Sequence, residues 1–343
     1  MVRDESVKTI ILEKPGELRL TDTPPPSRAG EAALVRVRRI GICGTDMHAF
    51  RGRQPFFTCP RILGHELGVE IVEVGTNPAG LKPGDHCAVE PYLNCGHCIA
   101  CRAGKTNCCT QLQVMGVHTD GGMREFIAVP ASKLHKSDRL SLDQLALIET
   151  LGIGAHAVDR AQLQRGEFAL VIGAGPIGLA VLQFARLAGG KLIVMDLNPD
   201  RLRFAQEQFR VEHLVHASEH ALRRLLDITG GDMPTAVFDA TGNPASVRSA
   251  FSFVAHGGRL VLVGLFQGDV VFADPEFHRR EMMLLASRNS TAADFCRIIA
   301  AMESGQIDTA PWITHRSSFD GMISEFPKWL RPETGVVKAM VEL

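Results

Sequence analysis

The hydrophobic pattern of the chain changes texture near Glu149. Before it, apolar positions come in short β-branched runs, such as residues 33–38 and 68–74. Turn-forming clusters punctuate them: the three prolines 24–26, Pro83-Gly84-Asp85 and Asp120-Gly121-Gly122. Short strands with this punctuation predict a compact all-β unit carrying functional loops. After it, residues 168–172 form an apolar strand run and residues 176–187 carry a helical pattern. Residues 192–195 read as a strand followed by a helix starting near Pro199. Later strands are expected at 235–238 and 259–263, with helical stretches at 219–228 and 244–254. Strands alternating with helices predict βαβ units and a parallel sheet. From about Arg288 the alternation stops, and the tail is expected to rejoin the first unit. The fold class is therefore α/β: a β-rich unit over 1–150, a doubly wound parallel-sheet unit over 151–287, and a C-terminal return over 288–343.

Composition narrows the function classes. Apolar residues make up 45% and charged residues 22%, which argues against wholesale disorder. Lys plus Arg number 37 against 38 Asp plus Glu, so no charge excess points to nucleic acid or anionic lipid. Residues 10–12 are too short an apolar stretch for a secretory signal. The uncharged run 168–185 reaches spanning length, but Gly173, Gly175, Pro176 and Gly178 break it into strand, turn and helix. A soluble, cytoplasmic protein with no membrane partner is expected.

That run carries the first candidate site. Residues 171–180 read VIGAGPIGLA, placing Gly173, Gly175 and Gly178 in a G-x-G-x-x-G arrangement between a strand and a helix. Asp196 ends the next strand, 23 residues beyond Gly173. Such a turn lets a pyrophosphate approach the backbone at a helix N-terminus, and the acid accepts from ribose hydroxyls while repelling a 2′-phosphate. NAD is therefore expected over NADP, with Arg201 as a counter-signal. Pro176, Ile177 and Thr241 are placed in the same nucleotide-binding set. The alternative is a structural turn beside a solvated Asp.

Five of the nine cysteines fall within residues 95–109. Cys95, Cys98, Cys101 and Cys109 form C-x2-C-x2-C-x7-C on a loop, the donor set of a structural zinc; an iron–sulfur cluster competes, and adjacent Cys108 leaves the register open. A dispersed second set comprises Cys43 in GICGTDMH, His65 and Glu66 in GHE, and Glu149 in LIETLG. Thiolate, imidazole and carboxylate can hold zinc with one position left for substrate.

The order of these motifs resembles the zinc-dependent medium-chain dehydrogenases over essentially the whole chain, in the sorbitol and threonine dehydrogenase branch. Longer segments, among them RGRQPFFTCPRILGHE, GVHTDGGMREF and SRNST, resemble bacterial sugar-acid oxidoreductases of the L-galactonate 5-dehydrogenase type. The resemblance implies a GroES-like catalytic domain, a Rossmann domain, two zinc ions per chain, NAD, and a homo-oligomer. It implies catalytic zinc on Cys43 and His65, with Glu66 and Glu149 as further ligands or neighbours. Relatives commonly have Glu-Pro where this chain has Glu149-Thr150. Thr45 and His48 match a proton relay, and Arg288 matches a residue near the substrate hydroxyls, with Asn289 beside it. His118, Arg51 and Arg53 are candidates for a substrate carboxylate. Asp46 and Lys338 are read as structural, and Met282 and Met283 as core. The implied reaction is hydride transfer from a secondary hydroxyl of an aldonate or polyol to NAD. Sorbitol or L-threonine oxidation, a non-catalytic NAD-binding regulator and a zinc-free quinone reductase stand as alternatives.

Overall fold

A computed structural model describes residues 6–28, 30–54 and 56–343. The chain divides into two compact units, one of residues 1–149 and 291–343, the other of residues 150–290.

The first unit is built on a seven-stranded sheet. Its longest strand, Ala32–Gly41, is flanked on one side by Glu66–Glu73, His86–Val89 and Leu134–Lys136. On the other side lies the C-terminal strand Lys338–Glu342 with Ile313–Ser318, while Phe126–Pro130 pairs with the first half of the long strand. Alternate residues of these strands face a core that includes Val35, Val37, Ile40, Leu67, Val69 and Ile71. The helix Met322–Trp329 closes it with Met322, Phe326 and Trp329. Register has a consequence for chemistry: Gly41 pairs with Glu66 on one side and Met340 on the other. The two flanking strands thus deliver Glu66 and Lys338 to the same end of the central strand.

The second unit is a six-stranded, wholly parallel sheet. Its spatial order is His213–His216, Lys191–Asp196, Phe168–Ile172, Ala236–Asp239, Arg259–Leu262, Met283–Ala286. Numbered along the chain from Phe168, that order is 3-2-1-4-5-6, with the crevice for a dinucleotide at the carboxyl end of the first strand. The central strands are buried on both faces, which explains the near-continuous apolar runs Phe168–Ile172 and Ala236–Asp239. Two strands had no clear sequence signal. His213–His216 is short and His-bounded, and Met283–Ala286 is an edge strand. Met283 is correspondingly 49% exposed, so the expectation that it is core is corrected; Met282 is buried. No helix among the described residues is long and apolar enough to cross a membrane.

Candidate active site

Cys43 caps the helix Gly44–Phe50, and the third helical residue, Asp46, turns back to accept the Cys43 backbone N–H at 2.9 Å. Asp46 is fully buried and its Oδ1 lies 3.8 Å from His65 Nδ1. His65 immediately precedes the strand Glu66–Glu73, so His65 and Glu66 enter the site together. Ligand atoms of Cys43, His65 and Glu66 all lie within 4.8 Å of one another. On sequence alone Asp46 reads as structural. The structure gives it a further position, with its carboxylate at ion-pair distance from the imidazole.

Glu66 is gripped from the far side. Lys338 Nζ donates to both its oxygens at 2.7 Å, and both side chains are buried. A Cβ on Gly41 would collide with Glu66 Oε2, so the glycine is what lets this carboxylate lie against the central strand. Glu149 begins the helix Ile148–Ala161, and its Oε1 accepts the phenol of Tyr92 at 2.5 Å. It is buried and lies outside the 4.8 Å group. Tyr92 is the chain's single tyrosine; no motif or spacing marked it beforehand.

Electrostatics describe a site that calls for a cation. Asp46 and Glu149 are pushed up by burial, and Glu66 adds repulsion to both. Burial opposes protonation of His65, yet the charges of Cys43, Asp46 and Glu149 drive its pKa well above the ordinary 6.5. His65 Nδ1 is buried without a hydrogen bond among the described residues. A thiolate, an imidazole and a carboxylate crowded this way are donors that zinc takes, and a divalent charge relieves their repulsion.

On the same helix as Asp46, Thr45 is half-buried and His48 is exposed, one turn apart. Partial desolvation of the His48 ring, then the charges of Arg51 and Arg53, lower its pKa below 6.5. Arg51 donates to the Leu330 carbonyl at 2.6 Å, at the end of the helix Met322–Trp329. His118 Nδ1 accepts the Val114 N–H at 3.0 Å, and its ring lies 6.1 Å from Phe56.

The cysteine loop forms a second donor cluster. Cys95, Cys98, Cys101 and Cys109 bring their sulfurs within 4.8 Å of one another, with Cys109 buried and Cys108 exposed. The ambiguity of register is thereby resolved to Cys109. Backbone N–H groups support thiolates here: Cys101 N and Thr110 N hold the Cys98 thiol down to about 5, and Cys95 N lowers Cys109. Four thiolates fit a closed tetrahedral zinc shell.

In the second unit, Gly173 has φ +97° and leads into the helix Pro176–Leu187, capped by Gly175 with no side-chain hydrogen bond. A Cβ on Gly178 would collide with the Gly173 carbonyl, so that glycine is set by helix–turn packing. A Cβ on Gly175 would meet only Arg201 Nη1, at 3.6 Å. Nothing in the unit's own packing demands a glycine there; it leaves a cradle at a helix N-terminus headed by Pro176 and Ile177, as a pyrophosphate requires. Asp196 Oδ2 accepts from Ala174 N at 2.7 Å and Oδ1 from Asn198 N at 2.8 Å, fixing the acid beside the turn. Thr241 donates N–H and hydroxyl to buried Asp239, and its methyl faces Gly173. Arg288 is exposed and Asn289 adopts φ +52°, both just past the edge strand Met283–Ala286.

Residues 29–139 match the alcohol dehydrogenase GroES-like domain family, and residues 176–304 the zinc-binding dehydrogenase family. L-galactonate-5-dehydrogenase of Escherichia coli K12 is 38% identical over 98% of this chain and 99% of its own. The chain belongs to the zinc-type medium-chain alcohol dehydrogenase family. Sorbitol dehydrogenase of Bacillus subtilis 168 is 30% identical over 98% of this chain and 97% of its own. Among solved structures, an E. coli CFT073 alcohol dehydrogenase (RspB) in complex with NADH superposes with a TM-score of 0.92 at 29% identity, covering 99% and 100% of the two chains. A Sinorhizobium meliloti 1021 zinc-binding dehydrogenase bound to NADP gives 0.88 at 29% identity, with coverage of 99% and 100%. The two units of this dehydrogenase are thus a GroES-like domain and a Rossmann-type domain, and its activity is NAD-linked oxidation of a hydroxyl group.

Proposed function

We propose that this dehydrogenase oxidises a secondary hydroxyl of a linear sugar acid, an aldonate of the L-galactonate type. The observation that carries the reading is the end-to-end similarity to a dehydrogenase named for L-galactonate, at 38% identity. Cys43, His65 and Glu66 would hold a zinc ion, which would supply the Lewis acidity that lowers the pKa of a substrate hydroxyl.

The rest is work for the chain's own groups. Asp46 holds the Cys43 backbone and backs the His65 ring, while Lys338 balances the charge of Glu66. Glu149, bonded to Tyr92, stands by as a carboxylate neighbour of the centre rather than a fixed ligand. Thr45 passes the substrate proton from its Oγ1 toward His48. That imidazole, its pKa lowered, is neutral at pH 7 and ready to accept. Arg288 and Asn289 hold further substrate hydroxyls; His118 and Arg51, with Arg53, serve the carboxylate. Gly173, Gly175, Pro176, Ile177, Gly178 and Thr241 shape the nucleotide turn. Asp196 selects NAD, with Arg201 facing the pyrophosphate. Nine cysteines without a disulfide among the described residues fit a reducing cytoplasm, and a homo-oligomer is proposed, Met283–Ala286 being the last strand of its sheet among the described residues.

A polyol such as sorbitol is the second reading, favoured by the full-length match to a sorbitol dehydrogenase. A panel of aldonates, polyols, aldoses and L-threonine, followed by NADH formation, tests both. Highest kcat/KM on an aldonate supports the proposal, and His118→Ala then raises KM for the acid but not for the matching polyol. Preference for L-threonine or a simple primary alcohol contradicts it.

A further inference from the structure

A second cluster in the first unit lies outside the dehydrogenase machinery. Glu90 is buried, 1% exposed at its side chain, at the end of the strand His86–Val89. Its Oε1 accepts Lys133 Nζ at 2.5 Å and its Oε2 lies 3.0 Å from His135 Nε2. His135 sits on the neighbouring strand Leu134–Lys136, and its ring packs against Phe295 in a tilted pair with centroids 4.8 Å apart. One residue further along the helix Ala292–Glu303, the exposed Cys296 brings its sulfur to 3.9 Å from His135 Nδ1. Ser137 Oγ bonds Glu303 Oε1 at 2.6 Å and pins the far end of that helix to the same region.

We propose that Cys296 is a reactive thiol that exchanges with low-molecular-weight disulfides, with His135 as its base and Glu90 as the group that orients the base. The chemistry follows from the hydrogen bonds. Glu90 has both oxygens engaged as acceptors, so His135 Nε2 carries the proton and Nδ1 is left as the acceptor facing the thiol. Nucleophile, base and orienting carboxylate stand in sequence, with only the sulfur exposed. The tilted contact with Phe295 restricts the ring's orientation. Cys296 transfers its proton to His135 Nδ1, and its sulfur attacks one sulfur of the disulfide. That S–S bond breaks, a mixed disulfide forms on Cys296, and the other half leaves as a thiolate that takes up the proton. One disulfide is broken and one is made: the Cys296 sulfur is oxidised, and the leaving half of the low-molecular-weight disulfide, which serves as the oxidant, is reduced to a thiol.

The test treats the zinc-loaded protein with glutathione disulfide and follows each cysteine by peptide mass spectrometry. Cys59 and Cys108 are also exposed and serve as internal references. Cys296 is expected to form the mixed disulfide about tenfold faster than either reference. His135→Gln keeps an N–H toward Glu90 but removes the basic nitrogen, and should bring Cys296 down to the reference rate with Cys59 and Cys108 unchanged. A wild-type Cys296 no faster than Cys108 overturns the proposal, and that comparison decides alone if the variant does not fold. An unchanged Cys296 rate in folded His135→Gln overturns it too.

Discussion

Lys338 Nζ is equidistant from the two oxygens of Glu66, 2.7 Å from each, in a pair buried beneath the Cys43–His65 centre. Breaking it removes the buried cation that donates to both oxygens of a buried carboxylate. Lys338→Met should cost about 3–5 kcal/mol in unfolding free energy. Combining it with Glu66→Gln should recover part of that loss. Urea unfolding of the two single variants and the double variant checks the coupling; additive losses would mean the pair is not coupled.

Gly41 tests the same carboxylate by sterics. Gly41→Ala puts a methyl where Glu66 Oε2 lies, so the side chain or its strand must move. The variant should lose zinc from the Cys43 centre while the cysteine-loop zinc stays. Elemental analysis showing wild-type zinc content in Gly41→Ala would remove this role from the glycine.

The cysteine loop should behave differently. Cys98→Ser is expected to lower the yield of folded protein, because a closed thiolate site contributes folding free energy directly. Cys108→Ser should leave zinc and stability unchanged, since Cys108 is exposed beside the cluster. Zinc content and melting temperature of both variants check the assignment.

Stability against acid can be read from one pair in the Rossmann domain. Arg259 bonds both oxygens of Glu167, at 3.0 and 2.5 Å, and holds its carboxyl down to about 2 from 4.5. Because the folded value is depressed, the stabilisation is complete above about 4.5 and is lost as pH falls toward 2. Allowing for solvent screening, the effect is about 2 kcal/mol. Urea midpoints at pH 6 and pH 3 should differ less in Glu167→Gln than in the wild type; equal differences would contradict it.

Cofactor choice is proposed to rest on Asp196. Asp196→Ser removes a ribose acceptor and a charge that repels a 2′-phosphate, so the ratio of kcat/KM for NAD over NADP should fall by about tenfold or more. Its carboxylate also holds the Ala174 and Asn198 backbones, so KM for NAD should rise as well. A wild-type enzyme more efficient with NADP would reverse the assignment.

What was legible in the sequence was what is local. Gly173, Gly175 and Gly178 are read together because one turn needs them, and Cys95, Cys98, Cys101 and Cys109 because one loop presents them. Contacts that depend on register across the sheet were not legible. Lys338 reaches Glu66 only because two strands flank Gly41, 272 residues apart at their contact. Tyr92 meets Glu149 across 57 residues, without a motif. Asp46 showed its proximity to His65 only once the helix after Cys43 was in place, since a buried Asp three residues into a helix also reads as a simple cap. His213–His216 and Met283–Ala286 escaped notice because strands of four residues carry too little periodicity to stand out.

The central claim is that the Cys43–His65–Glu66 centre holds the zinc on which turnover depends. Its most direct test measures zinc content, NADH binding and NADH formation on the same preparations of wild type and Cys43→Ala. About two zinc ions per wild-type chain are expected, with loss of one in the variant, abolished turnover and NADH binding largely intact. Turnover that survives the loss of that zinc, or a variant that keeps both ions and still fails to turn over, would contradict it.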